Sequence, residues 1–460
     1  MTGQGTDPGS FRDPSGFVYH RGGRVLRQVN AVYREEYDAL LSSGLYGELV
    51  DDGLLVPHRE IAPDASATRD CYKLLEPEKV VFITYPYEWC CSQLSDAALA
   101  TLAVQKRALA RGMTLKDASA YNIQFRGGKP VHIDTLSFER WREGSPWVAY
   151  RQFCQHFLAP LALMSRLDAR CSQLLRVHID GIPLDLASRL LPGRTRFSVP
   201  LQLHLHLHAR AQEKFRAAAS APTGLKMTLR NLQAFVESLE AAVRSLKPPD
   251  PRSGWSGYYE MDSYSPVGLQ SKRSTVAGYL ERTAPATVWD LGSNTGMFSR
   301  LASARGAATL SIDSDHDAVE ANYREVRRTG ESNILPLWID LVNPSGGIGW
   351  NNRERLPLAD RGRPDTVFAL ALLHHLAISQ NVPFGMIAEF LAGLTRRWLV
   401  VEFVPKSDPK TRLLLSSRVD IFPSYSREEF ERAFRERFSI ESIDPVEDSQ
   451  RVLYLMQART

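Results

Sequence analysis

From Thr287 onward the sequence repeats one pattern, a short apolar run followed by an amphipathic stretch. Strand candidates are Thr287 to Leu291, Ala308 to Ile312, Asn333 to Ile339, Asp365 to Ala371, Trp398 to Phe403, Phe438 to Ile443 and Val452 to Met456. Helical spacing predicts helices at Met297 to Arg305, Ala318 to Thr329 and Phe384 to Leu394. Such apolar strands are buried on both faces, and helices between them permit parallel pairing. The pattern predicts an α/β fold, a doubly wound sheet with its ligand at the carboxyl ends of the strands.

A proline-rich break precedes this region, at Lys247-Pro248-Pro249-Asp250-Pro251-Arg252-Ser253-Gly254. Prolines at this density cannot continue a helix and favour an extended linker. Before it, Leu225 to Leu246 reads as an amphipathic helix, separated by Ala221-Pro222-Thr223-Gly224 from an earlier helix near Ala209 to Ala219. The chain is thus divided into residues 1–208, a helical connector 209–254, and 255–460.

With 460 residues, 43% hydrophobic and 23% charged, the chain is of globular type. Its net charge of +4 is too small to argue for nucleic acid, and no basic stripe with interleaved aromatics marks a nucleic-acid groove. No apolar run approaches the roughly 18 residues of a membrane span. The first 13 residues lack the apolar core of a secretory signal. The five cysteines form no Cys-x-x-Cys, so neither a disulfide framework nor a structural zinc site is expected, and a reducing cytoplasm is the default.

The first strand of the second half runs into Asp290-Leu291-Gly292-Ser293-Asn294-Thr295-Gly296. Two glycines there allow a tight turn and close approach of backbone to a ligand. This is not Gly-x-Gly-x-x-Gly, and no lysine follows as in a P-loop, so dinucleotide and triphosphate readings weaken. The second strand ends at Asp313, where a carboxylate can accept both hydroxyls of a ribose. The third ends in Trp338-Ile339-Asp340-Leu341, placed to meet an adenine.

These motifs, with Asp365 to Leu376, resemble class I S-adenosylmethionine-dependent methyltransferases over the whole C-terminal region. The resemblance implies a Rossmann-like sheet of seven strands ending in an antiparallel hairpin. It implies that S-adenosylmethionine is held by Asp290, Gly292, Ser293, Asn294, Thr295, Gly296, Phe298, Asp313, Ser314, Asp340 and Leu341, with Asp313 on the ribose and Asp340 on the adenine amino group. The segments Gly349 to Arg355 and Glu402 to Lys406 resemble nodulation-protein-like methyltransferases. A methyl transfer to a hydroxyl needs in-line approach and proton removal. His374 and His375, just after the fourth strand, and Glu402, near the end of the fifth, are the candidate bases. Tyr258, Tyr259, Tyr264 and Lys272 would lid the cofactor or simply pack.

The first half carries another signature. Asp117 and Asn122 have the Asp-x-x-x-x-Asn spacing of a kinase catalytic loop, and Val131-His132-Ile133-Asp134 follows a hairpin-like Gly127-Gly128. Helix Leu94 to Arg111 would precede the loop, Phe17 to Tyr19 and Val25 to Val29 would form a hairpin, and Val80 to Glu88 the last small-lobe strand and hinge. The stretch resembles the α+β fold of protein and small-molecule kinases. That implies Asp117 as base and Asn122 and Asp134 as magnesium ligands for ATP. It departs from the pattern in lacking a glycine-rich loop and a Val-Ala-x-Lys strand, with Arg27 the available substitute for the lysine.

His204, His206 and His208 alternate with leucines; on a strand all would share one face and suit a metal, on a helix only His204 and His208 would. The expectation is a methyltransferase whose first half recruits a small-molecule, glycan or protein acceptor. The alternatives are a bifunctional kinase-methyltransferase acting on a small molecule or glycan, and a sensor that binds the cofactor without turnover.

Overall fold

The computed structural model describes residues 5–63, 67–211, 227–249, 264–416 and 419–459. Tyr258, Tyr259, most of the helix expected at 209–219 and the end of the proline-rich break lie outside them. The chain forms two compact units, 1–250 with 345–356, and 251–344 with 357–460. No helix among the described residues is long and apolar enough to cross a membrane.

The first unit opens with a five-stranded antiparallel sheet of order β1-β2-β3-β5-β4, made of β1 (Gly5–Thr6), β2 (Gly16–Arg21), β3 (Arg24–Asn30), β4 (His58–Ile61) and β5 (Cys71–Pro77). Helices α1 (Arg34–Ser42) and α2 (Leu45–Asp51) lie between β3 and β4. Helix α3 (Cys91–Ala110) follows the sheet. Leu40, Leu45 and Leu49 pack against Val104 and Ala108 of α3, each burial contributing about 1.5–3 kcal/mol. Four short strands come next: β6 (Met113–Leu115), β7 (Ile123–Arg126), β8 (Lys129–His132) and β9 (Phe138–Arg140). They pair as β6 with β9 and β7 with β8. Asp117 and Asn122 thereby fall between β6 and β7, and Asp134 just after β8. This is the small sheet, helix and loop layout that the kinase resemblance implies.

One strand is displaced from expectation. Val80 to Glu88 is not a strand; the last strand of the sheet is β5, and Pro86–Glu88 is a short 3-10 turn. The Thr84 N–H is taken by the Gln124 side chain at 2.7 Å and its carbonyl by the same side chain at 2.9 Å, so Thr84 is satisfied without a ladder. The histidine-leucine alternation is helical, not extended: residues 199–211 form one helix with a π-helical stretch at Gln202–Leu207. Helix α4 (Leu229–Ser245) is capped by Thr228 and buries Leu232, Val236 and Leu239, its helical apolar face.

Residues 345–356 form a strap that belongs to the first unit although the sequence places it far downstream. Ile348 and Arg355 bridge antiparallel, closing the strap on itself. Glu354 is buried and accepts Arg12 Nε at 2.5 Å and Nη2 at 3.0 Å. The Leu356 N–H donates to Tyr85 Oη at 2.8 Å, and the Arg355 guanidinium lies 4.1 Å from the Tyr121 ring centre. Gly349 turns the strap at φ 78°, and a Cβ there would meet Glu354 and Ile179 at 2.5–2.8 Å, so only glycine fits.

The second unit is a seven-stranded sheet flanked by helices α5 (Pro266–Thr283), α6 (Met297–Ser303), α7 (His316–Thr329), α8 (Phe384–Leu394) and α9 (Arg427–Arg435). Its strands are β10 (Thr287–Leu291), β11 (Ala308–Asp313), β12 (Ile334–Trp338), β13 (Thr366–Ala369), β14 (Trp398–Phe403), β15 (Phe438–Pro445) and β16 (Val452–Ala458). The order is β12-β11-β10-β13-β14-β16-β15, parallel from β12 to β14, with β16 and β15 antiparallel. Strands β13 and β14 are buried along their whole length, as both-face burial requires. Helix α7 starts where Asp315 accepts the Asp317 N–H at 2.8 Å and stops at Gly330 in the left-handed region.

Candidate active site

The chain direction reverses neighbours at β10, which pairs with β11 on one side and β13 on the other. In open sheets of this kind ligands bind at the carboxyl ends of the strands at such a reversal. The glycine turn sits at that place. Gly296 has φ 84°, and a Cβ on it would meet the Asn322 amide and Arg300 at 2.6–2.7 Å. Asn294, also at positive φ, donates its N–H to Asp313 Oδ2 at 2.7 Å. Asp313 Oδ1 accepts the Asp315 N–H at 2.8 Å. Burial raises the Asp313 carboxyl above its usual range, and these backbone donors only partly offset it. Asp313 pairs in register with Trp338 at the end of β12, and the Trp338 indole donates to the Ser314 carbonyl at 2.8 Å. Asp340 is exposed and accepts the Val342 N–H at 2.9 Å, with Leu341 next to it.

Other members of the expected set lie beneath this surface. Asp290 is buried and accepts Ser299 Oγ at 2.6 Å; burial pushes its carboxyl up to about 6, against the pull of that hydroxyl and of Lys272. Ser311 Oγ donates to Ser293 Oγ at 2.8 Å. Phe298 is buried in the apolar core, with Lys272 Nζ 4.8 Å from its ring centre. Thr295 offers its carbonyl to Arg300 at 2.6 Å. Asp290, Ser293 and Phe298 therefore hold the turn in shape, while Gly292, Asn294, Asp313, Ser314, Asp340 and Leu341 form its rim.

Sequence reasoning missed Asn322 and Arg300, which brace the turn from below. Asn322 Nδ2 donates to Ser311 Oγ at 2.8 Å. Its signal was present: it is a polar side chain on the apolar face of α7, between Val319, Tyr323 and Val326.

Of the candidate bases, His374 is fully buried and neither ring nitrogen has a hydrogen-bond partner. Burial, with the neighbouring His375 and the cations Arg451 and Lys272 adding to it, holds it well below the usual imidazole range. His375 is partly exposed, its ring 4.2 Å from that of His374, and is also shifted down, by burial and then Arg451. Glu402 is fully engaged: Lys272 Nζ donates to it at 2.7 Å, the Tyr264 hydroxyl at 2.5 Å, and the Ala371 N–H at 2.7 Å. Burial would raise this carboxyl, but Lys272 and Arg451 hold it below the usual range. Tyr264 and Lys272 are thus part of a buried network.

In the first unit the kinase-type residues do converge. Asn122 Nδ2 donates to Ser137 Oγ at 3.2 Å, and Ser137 Oγ donates to Asp134 Oδ2 at 2.5 Å. Asp117 accepts the Ser119 N–H at 2.8 Å, and burial followed by Asp134 raises its carboxyl. Asp134 is already paired with a cation, the Arg27 guanidinium from β3. Burial acts to raise the Asp134 carboxyl, yet Arg27 and Ser137 bring it below the usual range. Lys116, beside Asp117, donates to Asp13 at 3.1 Å and to Ser15 at 2.8 Å on the β1–β2 connection. Where a kinase carries a glycine-rich cover for phosphates, this connection carries carboxylates. His204 and His206 each bond hydroxyls on both ring nitrogens, Tyr150 and Ser238 for the first, Ser188 and Thr195 for the second.

The strand order and the glycine turn define the second unit as a class I methyltransferase fold. The donor set fits S-adenosylmethionine: a turn that a Cβ would close, a carboxylate for vicinal hydroxyls, and an exposed carboxylate after the third strand. The chain belongs to the family of nodulation protein NoeA. It is 34% identical over 457 residues to NoeA of Rhizobium meliloti (strain 1021), spanning 98% of this chain and 95% of that protein. No family model matches the sequence. Among solved structures, magnesium protoporphyrin IX methyltransferase (ChlM) from Synechocystis with bound SAM is 18% identical at a TM-score of 0.32, over 46% of this chain and 86% of that one. N-methyltransferase NodS from Bradyrhizobium japonicum is 11% identical at 0.33, over 43% and 99%. The bifunctional kinase-methyltransferase WbdD is 15% identical at 0.32, over 44% and 42%.

Proposed function

We propose that the second unit transfers a methyl group from S-adenosylmethionine to a small-molecule, glycan or protein acceptor, and that the first unit recruits this acceptor. The observation that carries the reading is the Asn294 N–H bound to Asp313, which joins the glycine turn to the carboxylate at the crevice. When bound, the cofactor supplies an electrophilic methyl group on a sulfonium. Asp313 would hold the ribose hydroxyls, Asp340 the adenine amino group, and the turn from Gly292 to Gly296 would let backbone approach the rest. We assign proton removal to His375, which is neutral at pH 7 and partly exposed, and leave His374 as its buried neighbour. Glu402 is given a positioning role, since its oxygens are taken by Lys272, Tyr264 and the Ala371 N–H. The relative's name, a nodulation protein, supports a setting in nodulation. Calorimetric titration with S-adenosylmethionine, followed by transfer of labelled methyl into host-plant and bacterial extracts, tests the reading. Saturable binding with enzyme-dependent labelling supports it, whereas binding without any labelled acceptor favours the sensor.

A second reading, a kinase in the first unit, is favoured by the convergence of Asp117, Asn122 and Asp134. The Arg27 pair on Asp134 and the carboxylates of the β1–β2 connection weigh against it. We therefore read these residues as a kinase-like framework without phosphoryl transfer. Titration with ATP and magnesium tests this: saturable heat would restore the kinase.

A further inference from the structure

The helix spanning residues 199–211 carries apolar side chains on both its buried and its exposed sides. Its buried side carries His204 and His206 beside Leu201, Leu205 and Ala209, while Val199, Leu203 and Leu207 face solvent. Their exposures are 78%, 46% and 45%, and Phe197 just before them reaches 89%. Exposed helix faces of globular proteins are normally polar, and contiguous apolar patches mark an interaction surface. Here the histidines are drawn inward by hydroxyl partners on Tyr150, Ser238, Ser188 and Thr195. Leu203 and Leu207 are left outside, while Leu201 and Leu205 stay on the buried side.

Charge completes the pattern. Val199, Leu203, Leu207 and Arg210, all exposed, recur at spacings of three and four residues along the helix, and the exposed Arg196 lies in the 3-10 turn Gly193–Phe197 just before it. Arg194 is exposed beside them. No Asp or Glu occurs from Leu186 through Gln212, in a chain that has 52 acidic residues in 460. An apolar stripe flanked by arginines, on a segment that itself carries no acid, is the chemistry of a helix lying in an anionic lipid interface, with apolar side chains among the acyl boundary and guanidinium groups at the headgroups. A second copy is a poorer occupant, because a two-fold contact over this stripe brings its arginines against their own kind.

We propose that this face seats the chain peripherally on an anionic lipid surface. The proposal is independent of the methyl-transfer reading. Its test is flotation of the full chain with phosphatidylcholine vesicles containing phosphatidylglycerol, against phosphatidylcholine alone. The expected result is binding to the anionic vesicles only, falling as salt rises. Leu203→Glu with Leu207→Glu should abolish it, whereas Val32→Glu, at a still more exposed apolar position elsewhere, should leave it intact. Neutralising Arg196 or Arg210 to Gln should weaken it about fivefold each. Far-UV dichroism and melting check that each variant is folded, and the arginine variants decide the matter if the glutamate pair is not. Absence of binding to anionic vesicles overturns the proposal, as does binding that ignores both sets of substitutions. So does a wild-type dimer that Leu203→Glu dissolves without any vesicle binding.

Discussion

Arg27 and Asp134 form an ion pair in which a guanidinium from β3 takes up the carboxylate that closes the Asp117, Asn122 and Asp134 cluster. A buried carboxylate must have a cation or be protonated, and the chain supplies its own where a kinase would use a metal. Removing the guanidinium should create the need it now meets. Arg27→Ala is expected to lose about 3–5 kcal/mol of stability, the usual cost of leaving a buried charge unpaired. Magnesium should return part of that loss in the variant and do nothing to the wild type, read as melting temperature against magnesium concentration. An equal response of both proteins would refute the assignment.

Asp313 anchors the candidate cofactor site. Asp313→Ala removes an acceptor for two hydroxyls, each bond to a charged group contributing about 1.5–3 kcal/mol. Affinity for S-adenosylmethionine should fall at least about a hundredfold on that basis, with a lower melting temperature as well, since the Asn294 and Asp315 N–H groups lose their acceptor. Calorimetry of both proteins checks it; unchanged affinity would remove Asp313 from the site.

Lys272 and Glu402 are a buried pair at 2.7 Å, joined by Tyr264. Breaking it from one side strands a charge. Lys272→Met should cost about 3–5 kcal/mol, while Lys272→Met with Glu402→Leu should cost less than the two single changes together. Urea unfolding of the four proteins gives the coupling.

The depressed pKa of His374 has a sign for stability. Its folded value lies well below 6.5, so the unfolded chain binds the extra proton first as pH falls. Stability contributed by neutral His374 is present above pH 6.5 and is lost progressively below it. His374→Phe should flatten that decline in a series of melts from pH 7.5 to about 5. A parallel slope in both proteins would show that other groups carry the acid sensitivity.

His375 shares this downward shift, through burial and Arg451. If it removes the proton, the rate should hold at pH values where an ordinary imidazole would already be protonated, and fall only below. His375→Gln should abolish that acid limb and reduce kcat by roughly a hundredfold or more, the usual contribution of general-base catalysis. Retained kcat would place the base elsewhere.

Much of the second unit was legible because its signals are local. Thr287–Leu291, Trp398–Phe403 and Phe384–Leu394 fall where the apolar runs and helical spacing put them. The glycine turn was legible too, since positive φ and close approach both demand glycine. What could not be read was pairing at a distance. Nothing around Glu354 announces Arg12, and nothing around Arg27 announces Asp134, because ion pairs between remote segments leave no periodicity. Glu402 looked like a base from its place at the end of a strand; only its partners, Lys272 and Tyr264, reveal a tie. Val80 to Glu88 had strand composition, yet the Gln124 side chain takes both backbone groups of Thr84 at its middle in place of a ladder.

The strap at 345–356 bears on how such a gene can change. A crossover between the codons for Asp250 and Pro251 would appear to exchange one whole unit for another. It would also carry off Glu354, Arg355 and Gly349, and leave Arg12, Tyr85 and Tyr121 without the residues they were shaped around. Descendants are constrained to inherit the two stretches together, so the chain should diversify by point substitution more readily than by recombination at its own seam.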